Sequence, residues 1–245
     1  METKLQRRTD SIFEPGTLYG KYSPPQLNRL VERYKRIIAA NIDNIKGKRV
    51  LDLAAHDGRW TWAALKSGAS YVEAVEGRAE LVALANKALS SFPKEMFRFS
   101  QGDIFEYLEG LRRTDVGRFD TVLCLGIFYH IDEHFRLFRL MASLKPSAII
   151  LDGALLSSDE PKITFRQEAT ENKLNAIPGE NQVDQALVGT MSRGLLAQWC
   201  RLNRWSLQYV PWHRNDIADT ASLQDYLAAD ERPRARFTCV LTPLR

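Results

Sequence analysis

Residues 48–77 carry the pattern that most restricts the fold of this chain. The segment of residues 50–53 is short and apolar enough to be a buried strand. A tight turn that ends at Gly58 follows it, and residues 60–66 are suited to a helix. A second apolar segment, residues 71–75, is followed directly by the acid Glu76. This order predicts a β-turn-α-β unit, which places a helix N-terminus and a carboxylate around one crevice where a nucleoside can lie.

The residues of this unit resemble the first motifs of the class I S-adenosylmethionine (SAM)-dependent methyltransferases. The resemblance lies in Asp52 within the first strand, Gly58 in the turn and Glu76 after the second strand. The family usually has three spaced glycines after the first acid, and Ala54 and His56 occupy two of those positions here. Alanine still lets a ligand approach the backbone closely, and histidine is among the residues that tolerate a positive φ. The alternative is a non-catalytic relative with a blocked pocket.

The resemblance implies an α/β fold: a Rossmann-like, seven-stranded, mostly parallel sheet with helices on both faces, over residues 46–245. It also implies SAM as cofactor, with S-adenosyl-L-homocysteine (SAH) as product. The expected cofactor contacts come from the ends of successive strands: Asp52, Ala54, Ala55, His56, Gly58, Glu76, Gly77, Asp103, Ile104 and Leu125.

Four of these positions have roles that the resemblance assigns. Asp52 acts near the turn and the cationic methionine end of the cofactor, and Glu76 binds the ribose hydroxyls. Asp103 takes the adenine amino group while Ile104 packs on the ring. The alternative for Asp103 is a turn aspartate, since Gly-Asp is common in loops.

The segment after the fourth predicted strand supplies the candidate catalytic residues. Residues 119–126 read as a strand that runs into Tyr129 and His130, at the end of the sheet where ligands of open α/β folds bind. Histidine accepts a proton from a hydroxyl or amine near neutral pH. The resemblance places this segment opposite the methyl group, so Tyr129 and His130 are the candidates. The alternative is that His130 caps or orients the next helix, residues 133–144.

Residues 1–45 are predicted to form an N-terminal arm and an amphipathic helix. The helix begins at Ser23-Pro24-Pro25, because proline suits the first turn, and its apolar spacing continues through Ile42. In the resembled family such a helix lids the cofactor. Tyr19 and Tyr22 either line that lid or pack on the helix.

Residues 157–190 are the second flanking segment, where the apolar pattern thins out and polar groups accumulate. A segment this long outside the sheet is more often functional than idle. The resemblance implies a substrate-cap insertion here within the methyltransferase domain. Phe165 and Arg166 are the first candidates for substrate contact.

Composition places the chain among ordinary globular proteins, with 44% hydrophobic and 26% charged residues in 245. No apolar run approaches the ~20 residues that a membrane span needs, and residues 1–10 are too polar for a secretory signal. The three scattered cysteines suggest neither a disulfide framework nor a metal site, so no metal is expected and the reducing cytoplasm is the simplest compartment.

The methyl acceptor is the least determined property. Residues 1–50 hold eleven Lys or Arg against five Asp or Glu, which suits either RNA phosphates or a solvated helix face. The segment ending at His130 looks somewhat like the wobble-uridine tRNA-modifying branch of the family. Because no RNA-binding signature is present, we favour an O or N nucleophile of a small-molecule metabolite over RNA. The sequence does not indicate an oligomeric state.

Overall fold

A computed structural model describes residues 13, 19, 22–172, 174–177, 184–217, 220–227 and 231–244. The predicted N-terminal arm therefore lies outside the described residues up to residue 21, apart from Phe13 and Tyr19. Residues 173 and 178–183 of the predicted cap also lie outside them. The sequence also predicts a short helix over residues 221–229, of which residues 228 and 229 lie outside the described residues.

Helices and strands alternate along most of the described chain. In order, they are α1 (Pro24–Ile37), β1 (Arg49–Leu53), α2 (Arg59–Lys66), β2 (Tyr71–Glu76), α3 (Ala79–Ala88), β3 (Phe97–Gln101), α4 (Ile104–Thr114), β4 (Thr121–Leu125), α5 (His134–Ser143), β5 (Ala148–Leu156), β6 (Ile163–Ala169), β7 (Gln185–Met191), α6 (Arg193–Leu202), β8 (Trp205–Val210), α7 (Gln224–Leu227) and β9 (Arg234–Pro243).

Seven of the described strands form one sheet in the order β3-β2-β1-β4-β5-β9-β8. The first five strands run parallel, and β9 inserts antiparallel between β5 and β8. This is the seven-stranded, mostly parallel sheet that the resemblance implies, and that prediction is confirmed. The strand order reverses between β1 and β4, which is where open α/β sheets bind ligands.

The two faces of the sheet bury separate apolar cores. Residues that alternate along one strand point to opposite faces, so Val122 of β4 belongs to one core and Leu123 to the other. Helices α4, α5 and α6 cover the first face, and α1 and α2 cover the second. Covering both faces explains why the parallel strands read as continuous apolar runs.

Three elements differ from the sequence prediction. Helix α1 ends at Ile37, and a kinked 3-10 segment, Ala39–Asn44, replaces its predicted last turn. Helix α4 was not predicted; it begins where Asp103 caps two backbone amides. Residues 157–190 contain an antiparallel hairpin, β6–β7, which forms a separate two-stranded sheet. None of the described helices has the length and apolarity needed to span a bilayer.

Candidate functional site

A cavity of about 600 Å³ lies beyond the carboxyl ends of β1, β2 and β4. This volume falls within the range of ~300–1,000 Å³ that is usual for small-molecule sites. Nine predicted site residues line it: Ala54, His56, Glu76, Gly77, Asp103, Ile104, Leu125, Tyr129 and His130. Five others do not line it: Asp52, Ala55, Gly58, Phe165 and Arg166.

The turn between β1 and α2 has three residues in the left-handed region of backbone space. Their φ angles are 52° at Ala54, 53° at His56 and 78° at Gly58. His56 therefore adopts a positive φ, which histidine tolerates better than most residues do. Gly58 is required on a second ground, since a Cβ there would lie 2.9 Å from the Cβ of Ala85 on α3. The turn therefore has three residues in a conformation that favours glycine, although only one of them is glycine.

The His56 side chain lies against the start of α2. Its Nδ1 is 3.6 Å from Asp57 Oδ1 and 3.4 Å from Arg59 Nη2. Burial acts to raise the pKa of Asp57, but hydrogen bonds from His56 and Arg59 hold it well below its usual range. The imidazole lines the cavity without filling it. Tyr19 and Tyr22 also bind this turn, through hydroxyls that donate to the Asp57 carbonyl (3.1 Å) and to Asp57 Oδ2 (2.9 Å).

Glu76 ends β2 at the cavity wall, and its carboxylate is fixed by two backbone amides. Oε2 accepts from the His56 N–H at 2.9 Å, and Oε1 accepts from the Arg78 N–H at 3.0 Å. The side chain is therefore pre-oriented while buried at the cavity edge. A carboxylate oxygen has more than one lone pair, so each oxygen keeps acceptor capacity for a ligand hydroxyl.

Asp103 caps a helix and also faces the cavity, while the adenine contact expected of it stays a prediction. Its Oδ1 accepts from the backbone amides of Phe105 (2.8 Å) and Glu106 (3.1 Å), so it caps α4. Asp103 and Ile104 also line the cavity. The cap fixes the side chain, and Oδ2 is the oxygen left for a ligand.

Asp52 lies beneath the cavity rather than on its wall. It is 1% exposed, and its Oδ2 accepts from the Thr61 hydroxyl at 2.7 Å. Burial raises the pKa of Asp52 to about 7, although the hydrogen bonds from Thr61 act to lower it. Ala55 and Gly58 are also buried below the turn surface. These three residues do not line the cavity, and the direct cofactor contact expected of them stays a prediction.

The two candidate catalytic residues lie side by side, with Tyr129 and His130 ring centroids 4.2 Å apart. His130 Nδ1 is 2.6 Å from Oε2 of Glu168, a buried residue on β6. Burial lowers the pKa of His130 below its ordinary 6.5, and the Glu168 hydrogen bond opposes that shift. The ring is therefore neutral at neutral pH. With Nδ1–H donating to Glu168, Nε2 is the nitrogen free to accept a proton.

Arg166, on strand β6 of the hairpin, holds the Glu168 carboxylate that binds His130. Its Nη2 binds Glu168 Oε1, and its Nη1 donates to Thr190 Oγ1 at 3.2 Å. Arg166 is thus placed behind His130 and Glu168, outside the cavity lining, while the neighbouring Phe165 is 50% exposed. The cavity is instead lined by Ala186 and Leu187 of β7 and by residues 174–177 of the segment that connects β6 to β7. The substrate contacts predicted for residues 165 and 166 are not part of the cavity wall.

Sequence reasoning missed a buried ionic cluster centred on Asp152 of β5. The carboxylate has no solvent exposure and binds the guanidinium groups of Arg33 (2.7 Å) and Arg236 (2.6 Å). It also accepts from the hydroxyls of Tyr226 (2.9 Å) and Thr238 (2.7 Å). Burial acts to raise the pKa of Asp152, yet the two arginines hold it well below its usual range.

The cluster reaches the cavity, because Arg33 and Arg236 both line it. Arg236 Nη1 also donates to the Tyr129 hydroxyl at 2.6 Å, which links the cluster to the candidate catalytic residues. In the sequence, the one indication of this cluster is Asp152 itself, an acid with apolar neighbours in a predicted strand. Its partners lie 84 and 119 positions away in the chain, and nothing local marks them. Among the described residues, no group of three or more His, Cys, Asp or Glu is arranged to hold a metal ion.

Comparison with solved structures identifies the architecture. The N-terminal domain of EvdMO1, solved with SAH and D-fucose, matches with a TM-score of 0.60 at 19% identity, over 98% of this chain and 96% of that one. The chain has the class I methyltransferase fold. The glycopeptide N-methyltransferase MtfA, solved with SAM, matches with a TM-score of 0.52 at 16% identity, over 100% and 99% of the two chains.

Comparison by sequence gives weaker matches to curated proteins. The tRNA U34 carboxymethyltransferase of Pseudomonas putida (strain GB-1) is 29% identical over 132 residues, which is 51% of this chain and 38% of that protein. The protein of the same name from Idiomarina loihiensis is 26% identical over 138 residues, or 54% and 40%. The chain thus matches about two fifths of the length of these relatives. No protein-family model matches the chain.

Proposed function

We propose that this chain is a SAM-dependent methyltransferase that methylates an O or N atom of a small-molecule metabolite. The observation that carries the proposal is Glu76, whose carboxylate is held by two amides at the cavity wall next to the left-handed turn. A carboxylate at the end of the second strand binds ribose hydroxyls well, since both its oxygens accept hydrogen bonds. The fold and the cavity at the strand-order reversal support the same reading.

The cavity residues suit the cofactor. Glu76 would hold the ribose, and Asp103 with Ile104 would hold the adenine, while the turn at Ala54 and His56 would bound the methionine end. When bound, SAM supplies a methyl group on a sulfonium that is already a good leaving group. The protein aligns the acceptor and, where needed, removes its proton. His130 has its free Nε2 for that proton, and Glu168 stabilises the positive charge that the ring then gains.

A second candidate is methyl or carboxymethyl transfer to tRNA, which the names of the two curated relatives suggest. The described part of the basic N-terminal region gives this candidate little support. On α1, Arg29 pairs with Asp225, Arg33 with Asp152, and Lys35 and Arg36 with Glu32. These cations are engaged within the molecule, so we favour the small-molecule acceptor.

Calorimetry with SAM and with SAH tests the cofactor assignment. Binding of both supports it, and no heat from folded protein would favour a non-catalytic relative. Transfer from labelled SAM into a metabolite extract and, separately, into total tRNA then tests the acceptor. Label in the metabolites alone supports our proposal, whereas label in tRNA alone would replace it with the second candidate. The three described cysteines are free and buried, which supports the cytoplasm as the compartment we propose.

A further inference from the structure

Two arginines share one buried carboxylate at the cavity wall. Arg33 and Arg236 both bind Asp152, so the three side chains together carry one net positive charge. Three other arginines line the cavity. Arg29 forms two hydrogen bonds to Asp225, Arg59 binds Asp57, and Arg78 donates to backbone carbonyls, among them that of Thr170 at 2.9 Å. Arg33 and Arg236 therefore form the part of the wall where two guanidinium groups share a single acid.

Arg33 is also short of hydrogen-bond acceptors. A guanidinium has five N–H donors, and within the described residues Arg33 has one hydrogen bond, from Nη2 to Asp152. Its Nε is buried without a partner. Because buried polar groups are normally hydrogen-bonded, a half-satisfied guanidinium on a cavity wall indicates that a ligand supplies the missing acceptors.

The position of this wall relates it to the acceptor rather than to the adenosine. Arg236 donates to the Tyr129 hydroxyl, which leaves the Tyr129 O–H free to donate in turn. Tyr129 contacts His130, the residue assigned to proton removal. Glu76 and Asp103, which we assign to the nucleoside, have neither Arg33 nor Arg236 as a hydrogen-bond partner.

We propose that the methyl acceptor carries a carboxylate, which binds Arg33, Arg236 and the Tyr129 hydroxyl. Arginine pairs with carboxylates in a planar, two-point geometry, and one carboxylate neutralises the single excess charge. Asp132 and Glu133 also line the cavity, and they disfavour a doubly charged phosphate or a polyanion. This proposal rests on the proposed function in one respect, namely that the bound carboxylate belongs to the methyl acceptor. The carboxylate site itself does not depend on methyl transfer.

Benzoate, benzamide and phenyl phosphate are suitable probes, because they share a ring and differ in charge. Binding to the full chain would be followed by ligand-observed NMR, with and without saturating SAH. We expect benzoate to bind at least about tenfold more tightly than benzamide and phenyl phosphate. Equal binding of benzoate and benzamide would overturn the proposal, and tightest binding of phenyl phosphate would replace the carboxylate with a phosphate.

Three variants locate the site. Arg33→Gln should weaken benzoate binding about tenfold or more, while Arg33→Lys, which keeps the charge but not the two-point geometry, should weaken it less than Arg33→Gln does. Arg29→Gln is the matched control, since Arg29 lines the same cavity but is paired with Asp225; it should leave benzoate binding unchanged. Equal loss in Arg29→Gln and Arg33→Gln, or no loss in either, would overturn the proposal.

SAH affinity separates this inference from the proposed function. Folded Arg33→Gln protein should bind SAH as the unchanged protein does. If the unchanged protein binds benzoate but not SAH, the cofactor assignment fails and the carboxylate site stands. If it binds SAH but not benzoate, the carboxylate site fails alone.

Discussion

Glu76 is fixed before any ligand arrives, because the amides of His56 and Arg78 hold its two oxygens. We expect Glu76→Ala to weaken SAH binding by about 1.5–3 kcal/mol, the usual worth of hydrogen bonds to a charged group. Calorimetry measures the change. Glu95→Ala, at an exposed acid outside the cavity, is the control and should bind normally. Unchanged affinity in Glu76→Ala would contradict the ribose role.

His130 is expected to act on turnover and not on cofactor affinity. Because burial lowers its pKa below 6.5, the ring is neutral and able to accept a proton throughout the neutral range. We expect kcat to fall only on the acid side of pH 6.5, and His130→Ala to lower kcat by about 10²–10⁴-fold, which is usual for a lost general base. SAH binding should persist in this variant.

The control for this prediction is His213→Ala, at an exposed histidine that does not line the cavity. It should keep both the rate and the pH profile. Full activity of His130→Ala between about pH 6 and 9 would assign His130 a structural role instead, with Glu168 as its partner.

Individual residues could be predicted where the strand-turn pattern fixes their place. Glu76 and Asp103 follow strands, and both line the cavity as expected. Asp52 sits within a strand, where successive side chains alternate between faces, and a motif does not say which face is open. Its burial against Thr61 depends on the packing of α2 on β1, which is a tertiary property.

The β1–α2 turn is the element whose geometry depends most on one residue. Gly58 has φ 78°, and a Cβ there would lie 2.9 Å from the Ala85 Cβ. Gly117 has a similar φ of 79° with nothing within 4 Å, so it isolates the backbone cost. We expect Gly58→Ala to cost about 1–3 kcal/mol more than Gly117→Ala, from overpacking α2 against α3.

Urea unfolding of the two glycine variants measures this difference. Gly58→Ala should also weaken SAH binding, since the shifted turn carries the amide of His56 that holds Glu76. Equal costs at the two positions would mean that the α2–α3 contact yields easily and that only the positive φ matters.

Elements were predictable where local pattern decides them and not elsewhere. Four of the parallel strands, β1, β2, β4 and β5, are buried on both faces and read as largely apolar runs, so their positions followed from sequence. Helix α4 was missed because its start, Gly102-Asp103, is also a common loop pair, and the cap is seen only once Asp103 binds Phe105 and Glu106. The β6–β7 hairpin was missed because the one fully buried side chain of β6 is Glu168, so no apolar side chain marks a buried face of this strand.

At the scale of the whole molecule, Asp152 joins parts that are distant in the chain. It lies on β5 and binds Arg33 of α1, Arg236 of β9 and Tyr226 of α7. The same contacts attach the helix predicted as a lid to strands β5 and β9 of the sheet. Sequence reasoning placed this helix before the first strand but had no means of finding its partner, because each ionic contact spans many residues.

Asp152→Asn should therefore cost about 3–5 kcal/mol of unfolding free energy at pH 7, since it leaves two buried guanidinium groups without their carboxylate. The pKa of Asp152 is lowered in the folded protein, so its contribution to stability is present above the ordinary pKa of 3.8 and is lost as the pH falls further.

Asp225→Asn is the control, because its bridge to Arg29 is partly exposed and worth at most about 1 kcal/mol. Urea unfolding of both variants at several pH values measures the loss of unfolding free energy. The loss in Asp152→Asn should become smaller below about pH 4. A loss that stays constant with pH, or that equals the loss in Asp225→Asn, would mean that the buried cluster does not hold these elements together.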